Sequence, residues 1–370
     1  MSTNNQKIYL PGLNGLRAIA AIAVVISHTA LAMDQFDLNL HIFGSTSDGK
    51  PKALLLASHG VTLFFVLSGF LITYLLVLEK NKGEIDIKKF YMRRILRIWP
   101  AYYSYLILAV IVAVIFAREV DINVLFYYVF FGANIPFILN FALPFLDHYW
   151  SIAVEEQFYL FWPWIIKKIN KNLFKIIISY IIIHFIFRVI VWYFFPFSTL
   201  AIFTLVNRFD CMVIGALGAL LYQKKNKLFL AVFDNKITQT ISLFILLALA
   251  LNFSFINAVL DTSIVSVVAL ALIIGQINVK NRILNLENIL CNFLGKISYG
   301  IYVYHPLLIF IISILFKEIV LEDNILKLVL VYLSIISTTI LLAYISYHYF
   351  ENRFIKYKDK FAIIKSSSSK

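Results

Sequence analysis

Residues 13–33 read LNGLRAIAAIAVVISHTALAM, an apolar run long enough to cross a bilayer that nonetheless holds an arginine and a histidine. Arg17 and His28 are eleven residues apart. At 100° per residue, eleven steps close to within about 20° of three full turns, so the two side chains share one helical face about 16 Å apart along the axis. An ionised group inside a bilayer costs about 2.5–3.5 kcal/mol on the most lenient scale. Two such groups turned inward point to a functional pair. The competing reading is a satisfied polar pair that locks helix packing.

The same kind of run recurs along the chain. Of the 370 residues, 61% are hydrophobic and 14% charged, against about half and a quarter in soluble domains. Ten apolar segments fall near 13–33, 60–78, 97–116, 149–167, 173–194, 200–222, 237–256, 260–277, 297–316 and 326–349. The expectation is an all-α, polytopic integral membrane protein of about ten transmembrane helices. Residues 1–360 form one membrane domain, and 361–370, with Ser366–Ser369, form a disordered tail. The N-terminal run loosely mimics a cleavable signal peptide, with Ala30-Leu31-Ala32 as a processing site. Arg17, His28 and the length of the run favour a retained span.

A net charge of +13 raises the question of nucleic acid. The distribution argues against it, because basic residues cluster in alternate segments between apolar runs. With the N-terminus inside, 25 of the 33 lysines and arginines fall on the inner side and five on the outer, while Arg17, Arg188 and Arg208 lie within spans. The split places both termini in the cytoplasm. It also requires that residues 118–148, although aromatic and apolar, do not cross; they lie at the outer surface or dip back into it. Gly132, Asn134, Pro136 and Pro144 break any long helix there. The other outer loop, 34–59, carries Gly44–Gly49 and reads as flexible. Cys211 and Cys291 stand in no metal-spaced array, so no metal site and no disulfide framework is expected.

Four constellations carry candidate chemistry. Arg17 lies near the inner end of the first span and suits a phosphate, while His28 lies in its outer half and suits proton transfer. Arg94 and Arg97, three apart where the third span begins, can grip a polyphosphate; the rival reading is lipid headgroups and topology. Glu155 and Glu156 sit in the outer part of the fourth span, with Ser151 on the face of Glu155 and Glu156 about 100° away. Arg208 and Asp210, two apart, each need a separate partner, and a glutamate of the fourth span is at a fitting depth for Arg208. Ser68 lies mid-span beside Gly69, and Tyr299, Tyr302 and His305 follow one another in the ninth span. His305 precedes a proline and satisfies backbone that the proline frees. His184 has only Arg188 nearby and reads as structural.

In order, these segments resemble the acyltransferase 3 family, membrane-bound O-acyltransferases of bacterial surface glycans. The resemblance runs from about residue 9 to 356. It rests on Leu13–Ala21 with His28, Phe64–Thr73, Arg94 with Arg97, Trp150–Tyr159, Ile297–Pro306 and Glu351-Asn352. One departure is Asn14, where the family usually has an acid. The resemblance implies an acyl-CoA donor, acetyl-CoA foremost, held from the cytoplasmic side by Arg17, Arg94 and Arg97. It implies an acceptor hydroxyl on an extracytoplasmic or lipid-linked sugar, and a multi-pass protein of the inner (plasma) membrane. His28 is then the general base or a transient acyl carrier, and Glu155, or else Glu156, orients it. Ser68, Ser151, Arg208, Asp210, Tyr302 and His305 support the site. A transporter that uses the same groups as a relay is the alternative, although no inverted repeat stands out.

Overall fold

Long apolar runs have no water with which to bond their backbone, so they satisfy it within themselves as helices. The computed structural model describes residues 8–47, 49–169, 171–251, 253, 258–317 and 323–364. The serine tail lies outside the described residues. In chain order the α-helices are α1 (Leu13–Leu31), α2 (Leu55–Asn81), α3 (Ile87–Ile115), α4 (Ile122–Val129), α5 (Asn134–Ile138), α6 (Tyr149–Lys168), α7 (Leu173–Phe194), α8 (Thr199–Val206), α9 (Phe209–Gln223), α10 (Lys227–Phe233), α11 (Lys236–Ala250), α12 (Ala258–Ile277), α13 (Ile289–Lys317), α14 (Ile325–Ile345) and α15 (Asn352–Lys358). A π-helical stretch, Ser346–Glu351, joins the last two. No strand occurs among the described residues beyond an isolated bridge between Ser45 and Pro51. Several helix starts are capped by short polar side chains: Asp86 accepts from the Lys89 N–H at 3.0 Å, and Asn324 from that of Lys327 at 3.0 Å.

Among the described residues, eight helical stretches are long and apolar enough to cross a membrane, nine if the bent pair α10–α11 is one span. The fourth expected span, 149–167, is a helix of the expected extent, α6, but Glu155, Glu156 and Gln157 keep it out of the apolar set. The chain is an all-α polytopic membrane protein. Helix α2 begins at Leu55, five residues before its expected start, after a 3-10 turn at Lys52–Leu54, so the loop before it is shorter than the sequence suggested.

Helix α1 packs against both α2 and α13, and α2 runs along α9. That last approach depends on glycine: a Cβ on Gly69 would overlap the Met212 carbonyl oxygen, and one on Gly215 would overlap that of Val66. Backbones can meet this closely only where side chains are absent. Helices α7 and α14 are peripheral and present Ile183, Ile186, Phe187, Leu333 and Leu341 outward.

Residues 118–148 hold no spanning helix, only α4, α5 and turns. Their carbonyls are bonded by side chains of the neighbouring helices. Tyr102, Tyr103 and Tyr105 of α3 donate to Tyr128 O, Val129 O and Phe145 O at 2.7–2.9 Å, and Gln157 of α6 donates to Phe131 O at 2.9 Å. Irregular backbone at this depth persists because protein replaces the missing water.

Candidate active site

The N-terminal ends of α1, α3 and α13, the C-terminal half of α2 and the π-helical stretch surround a polar cavity of about 290 Å³. Arg17, Arg93, Arg94, Arg97, Lys296 and Lys358 line it, together with Glu79, Glu351 and Asp359. Arg93 is neutralised: its guanidinium donates to Glu79 at 2.7 Å and to the Phe361 carbonyl at 2.9 Å. Arg17, Arg94 and Arg97 take no part in a salt bridge among the described residues. Arg94 instead lies over the Tyr159 ring at 5.2 Å, and its buried Nε has no partner among the described residues. The structure thus brings together the three arginines that the sequence singled out. Asn14, at the position of the departure noted above, lines the same cavity and donates to Asn292 Oδ1 at 3.1 Å.

A strap of residues 8–10 forms part of the wall. It is pinned by Glu287, which accepts from Tyr9, from the Gly12 N–H at 2.6 Å and from Asn292 at 2.7 Å. Burial alone would raise the Glu287 carboxyl, but these hydrogen bonds outweigh it and hold the group below its ordinary range.

Above the cavity, Ser68 and Tyr299 are the last polar lining residues. Ser68 and Tyr159 both donate to Glu155 Oε1. Tyr299, Tyr302 and His305 follow at i, i+3 and i+6 along α13. The Tyr302 hydroxyl donates to His148 O at 2.9 Å and meets the Ser151 hydroxyl at 2.5 Å. His28 lies at the top: its Nδ1 is 2.7 Å from Nε2 of His305, with ring centroids 4.9 Å apart. The His148 ring is 5.3 Å from that of His305, and its Nε2 donates to Val303 O at 3.1 Å.

Two expected partnerships are corrected here. Glu155 does not orient His28, because two hydroxyls hold the carboxylate and a second imidazole takes the histidine nitrogen. Arg208 does not pair with a glutamate of α6. The break between α8 and α9 turns it toward α2, where it donates to Ser58 O at 3.1 Å and Thr62 Oγ1 at 2.9 Å, with its guanidinium 5.6 Å from the Trp150 ring. Glu156 faces α3, with the Trp99 Nε1–H 3.5 Å from Oε2. Asp210 accepts from Arg188 at 2.6 Å, away from Arg208, as their two-residue spacing required. His305 does accept the role that its proline suggested, and has a second one besides.

Sequence reasoning missed His148, Tyr347, Glu351 and Lys358 as members of the site. His148 and Glu351 each stand at the edge of a stretch that was read, but only the fold shows which way they face.

Fold and site together define a polytopic membrane protein with a cationic cavity at one end of the bundle and an imidazole pair, His28 and His305, beyond it. The chain belongs to the acyltransferase 3 family: the family profile, described as an acyltransferase domain, matches residues 10–348. Among curated proteins it is similar to the peptidoglycan O-acetyltransferase OatA of Listeria monocytogenes (35% identical over 198 residues, 48% of this chain and 28% of the relative). It is also similar to the O-acetyltransferase OatA of Staphylococcus aureus (34% over 169 residues, 43% and 25%). A putative O-acetyltransferase of S. aureus strain COL matches more of the chain (28% over 379 residues, 94% and 58%). The matches thus cover between about a quarter and three fifths of the length of these relatives. No solved structure matches.

Proposed function

We propose that this protein is a membrane O-acyltransferase that moves an acyl group, acetyl foremost, from cytoplasmic acyl-CoA to a hydroxyl of an extracytoplasmic or lipid-linked glycan. The observation that carries this reading is the cavity in which three arginines lack carboxylate partners. Buried guanidinium groups are costly unless an anion completes them, and the phosphates of CoA do so with charge-assisted, bidentate hydrogen bonds. The clustering of basic residues in alternate loops supports a cavity mouth on the cytoplasmic side of the plasma membrane, with both termini there. The thioester arm then runs upward past Ser68 and Tyr299 toward His28.

The step itself balances simply. The acceptor hydroxyl gives its proton to His28 as its oxygen attacks the thioester carbonyl carbon. The carbon–sulfur bond breaks, and the CoA thiolate leaves and takes up a proton. General-base help of this kind is worth about 10²–10⁴ in rate. The relatives' names, acetyl transfer and, for one, peptidoglycan, favour a glycan acceptor.

The test uses the full-length protein in nanodiscs with radiolabelled acetyl-CoA and cell-envelope glycan. Label should pass to the glycan, and His28→Ala should abolish the transfer while the protein still folds. Arg97→Ala should raise the acetyl-CoA KM about tenfold or more, as loss of a charge-assisted contact of about 1.5–3 kcal/mol requires. Transport of acetyl-CoA or glycan with no labelled product would replace this reading with the transporter one.

A further inference from the structure

Pro306 lies inside α13, where its ring nitrogen has no hydrogen to give to the carbonyl four residues back, Tyr302 O. That carbonyl is bonded instead by the His305 ring, whose Nδ1 is 2.8 Å from it. A carbonyl oxygen can only accept, so Nδ1 of His305 carries the proton. In a neutral imidazole the other nitrogen, Nε2, then holds a lone pair. Nε2 is the atom that faces His28 Nδ1 at 2.7 Å. The His28 nitrogen must therefore be the donor, and the lone pair of His28 is left on Nε2. His305 is fully buried, whereas His28 is half-buried, so the outer member of the pair is the one with access to a reactant.

We infer that His305 is a positioning residue that fixes the tautomer of His28, so that His28 presents the basic Nε2 to the acceptor hydroxyl. The inference rests on the proposed acyl transfer and assigns its base to one atom. The freed carbonyl of Tyr302 is the fixed end of the chain: carbonyl, His305, His28, reactant. A carboxylate does this work in the best-known triads. Here Glu155 is engaged by Ser68 and Tyr159, and a neutral imidazole takes the carboxylate's place. In a membrane interior that choice avoids another buried charge.

Two measurements test it. First, solid-state ¹⁵N NMR of the histidine-labelled protein in nanodiscs, with His28 assigned by its disappearance in His28→Ala, should show Nδ1 of His28 protonated and Nε2 bare. The opposite tautomer overturns the inference and needs no variant at position 305. Second, His305→Leu, which offers no acceptor, should lower kcat by about 100-fold or more with the acyl-CoA KM unchanged, because the arginine cavity is untouched. His305→Gln puts an amide oxygen near the place of Nε2 and should recover activity to within about tenfold of wild type, a rescue that a packing role alone does not give. Wild-type kcat in His305→Leu overturns the inference. If His28→Ala is inactive while His305→Leu is fully active, the acyl-transfer reading stands and only the positioning role falls. If His28→Ala is itself fully active, the proposed function loses its base.

Discussion

Arg188 is completely buried in α7 and donates from Nη1 to Asp210 at 2.6 Å; its Nε and Nη2 find no partner among the described residues. His184, one turn before it, places Nδ1 3.8 Å from the same aspartate oxygen. The spacing of Arg208 and Asp210 told correctly that they face different ways, but not which partners they meet, because a pairing between α7 and α9 is a property of packing and not of either helix. The same limit applies to His28: its depth and face were legible from LNGLRAIAAIAVVISH, while its partner was a residue 277 positions away. Removing one member of a buried ion pair strands the other and costs about 3–5 kcal/mol. Asp210→Ala should therefore lower thermal stability in detergent sharply. Arg188→Met added to it should restore most of the loss, since an apolar pair replaces a buried ionic one at little cost. An Asp210→Ala protein that unfolds at the wild-type temperature shows that Arg188 needs no counter-charge there.

At the level of elements, the floor of the cavity comes from a part of the chain where the sequence offered only the short Glu351-Asn352 match and no candidate site residue. Helix α14 loosens into the π-helical stretch Ser346–Glu351, and Tyr347 and Glu351 from that stretch line the cavity with Lys358 and Asp359 beyond it. Such widened turns are frequent at functional sites and have no simple periodicity by which to find them. The basic loop entering α3 was legible as an anion grip, but it gave no hint that Arg93 is set apart from Arg94 and Arg97 by Glu79. Arg93 ties α3 to both Glu79 of α2 and the carbonyl of Phe361. Arg93→Ala should release the segment after α15 and leave the Glu79 carboxylate, only 2% exposed, unpaired beside the bound phosphates. The acyl-CoA KM should rise about tenfold, in line with about 1.4 kcal/mol of lost binding, with kcat unchanged because His28 is remote. An unchanged KM refutes a structural role for this tie in donor binding.

For the molecule as a whole, the ten apolar runs were readable because a bilayer imposes one length and one backbone solution on every span. Helix α6 shows where that reading meets function: it is a helix of spanning length whose Glu155, Glu156 and Gln157 depart from the apolar rule, and those residues reach Ser68, Trp99 and Asn134 across the interior. Residues 118–148 show the converse, since they are apolar by composition yet form only short helices capped by tyrosines. Their placement decides the topology, because an additional crossing there would turn every later basic loop outward. Exposed positions before and after the segment settle it. Lys82→Cys and Lys227→Cys should both resist a membrane-impermeant maleimide in intact cells and react once the membrane is opened, while Ser45→Cys reacts from outside at once. The variants are made on a Cys291→Ala background, because native Cys291 is partly exposed and lies beyond residues 118–148, whereas Cys211 is buried. Labelling of Lys227→Cys but not of Lys82→Cys in intact cells would mean that residues 118–148 cross. The α7–α12 loops would then be inverted, and the electrostatic argument that places the arginine cavity toward cytoplasmic acyl-CoA would lose its footing.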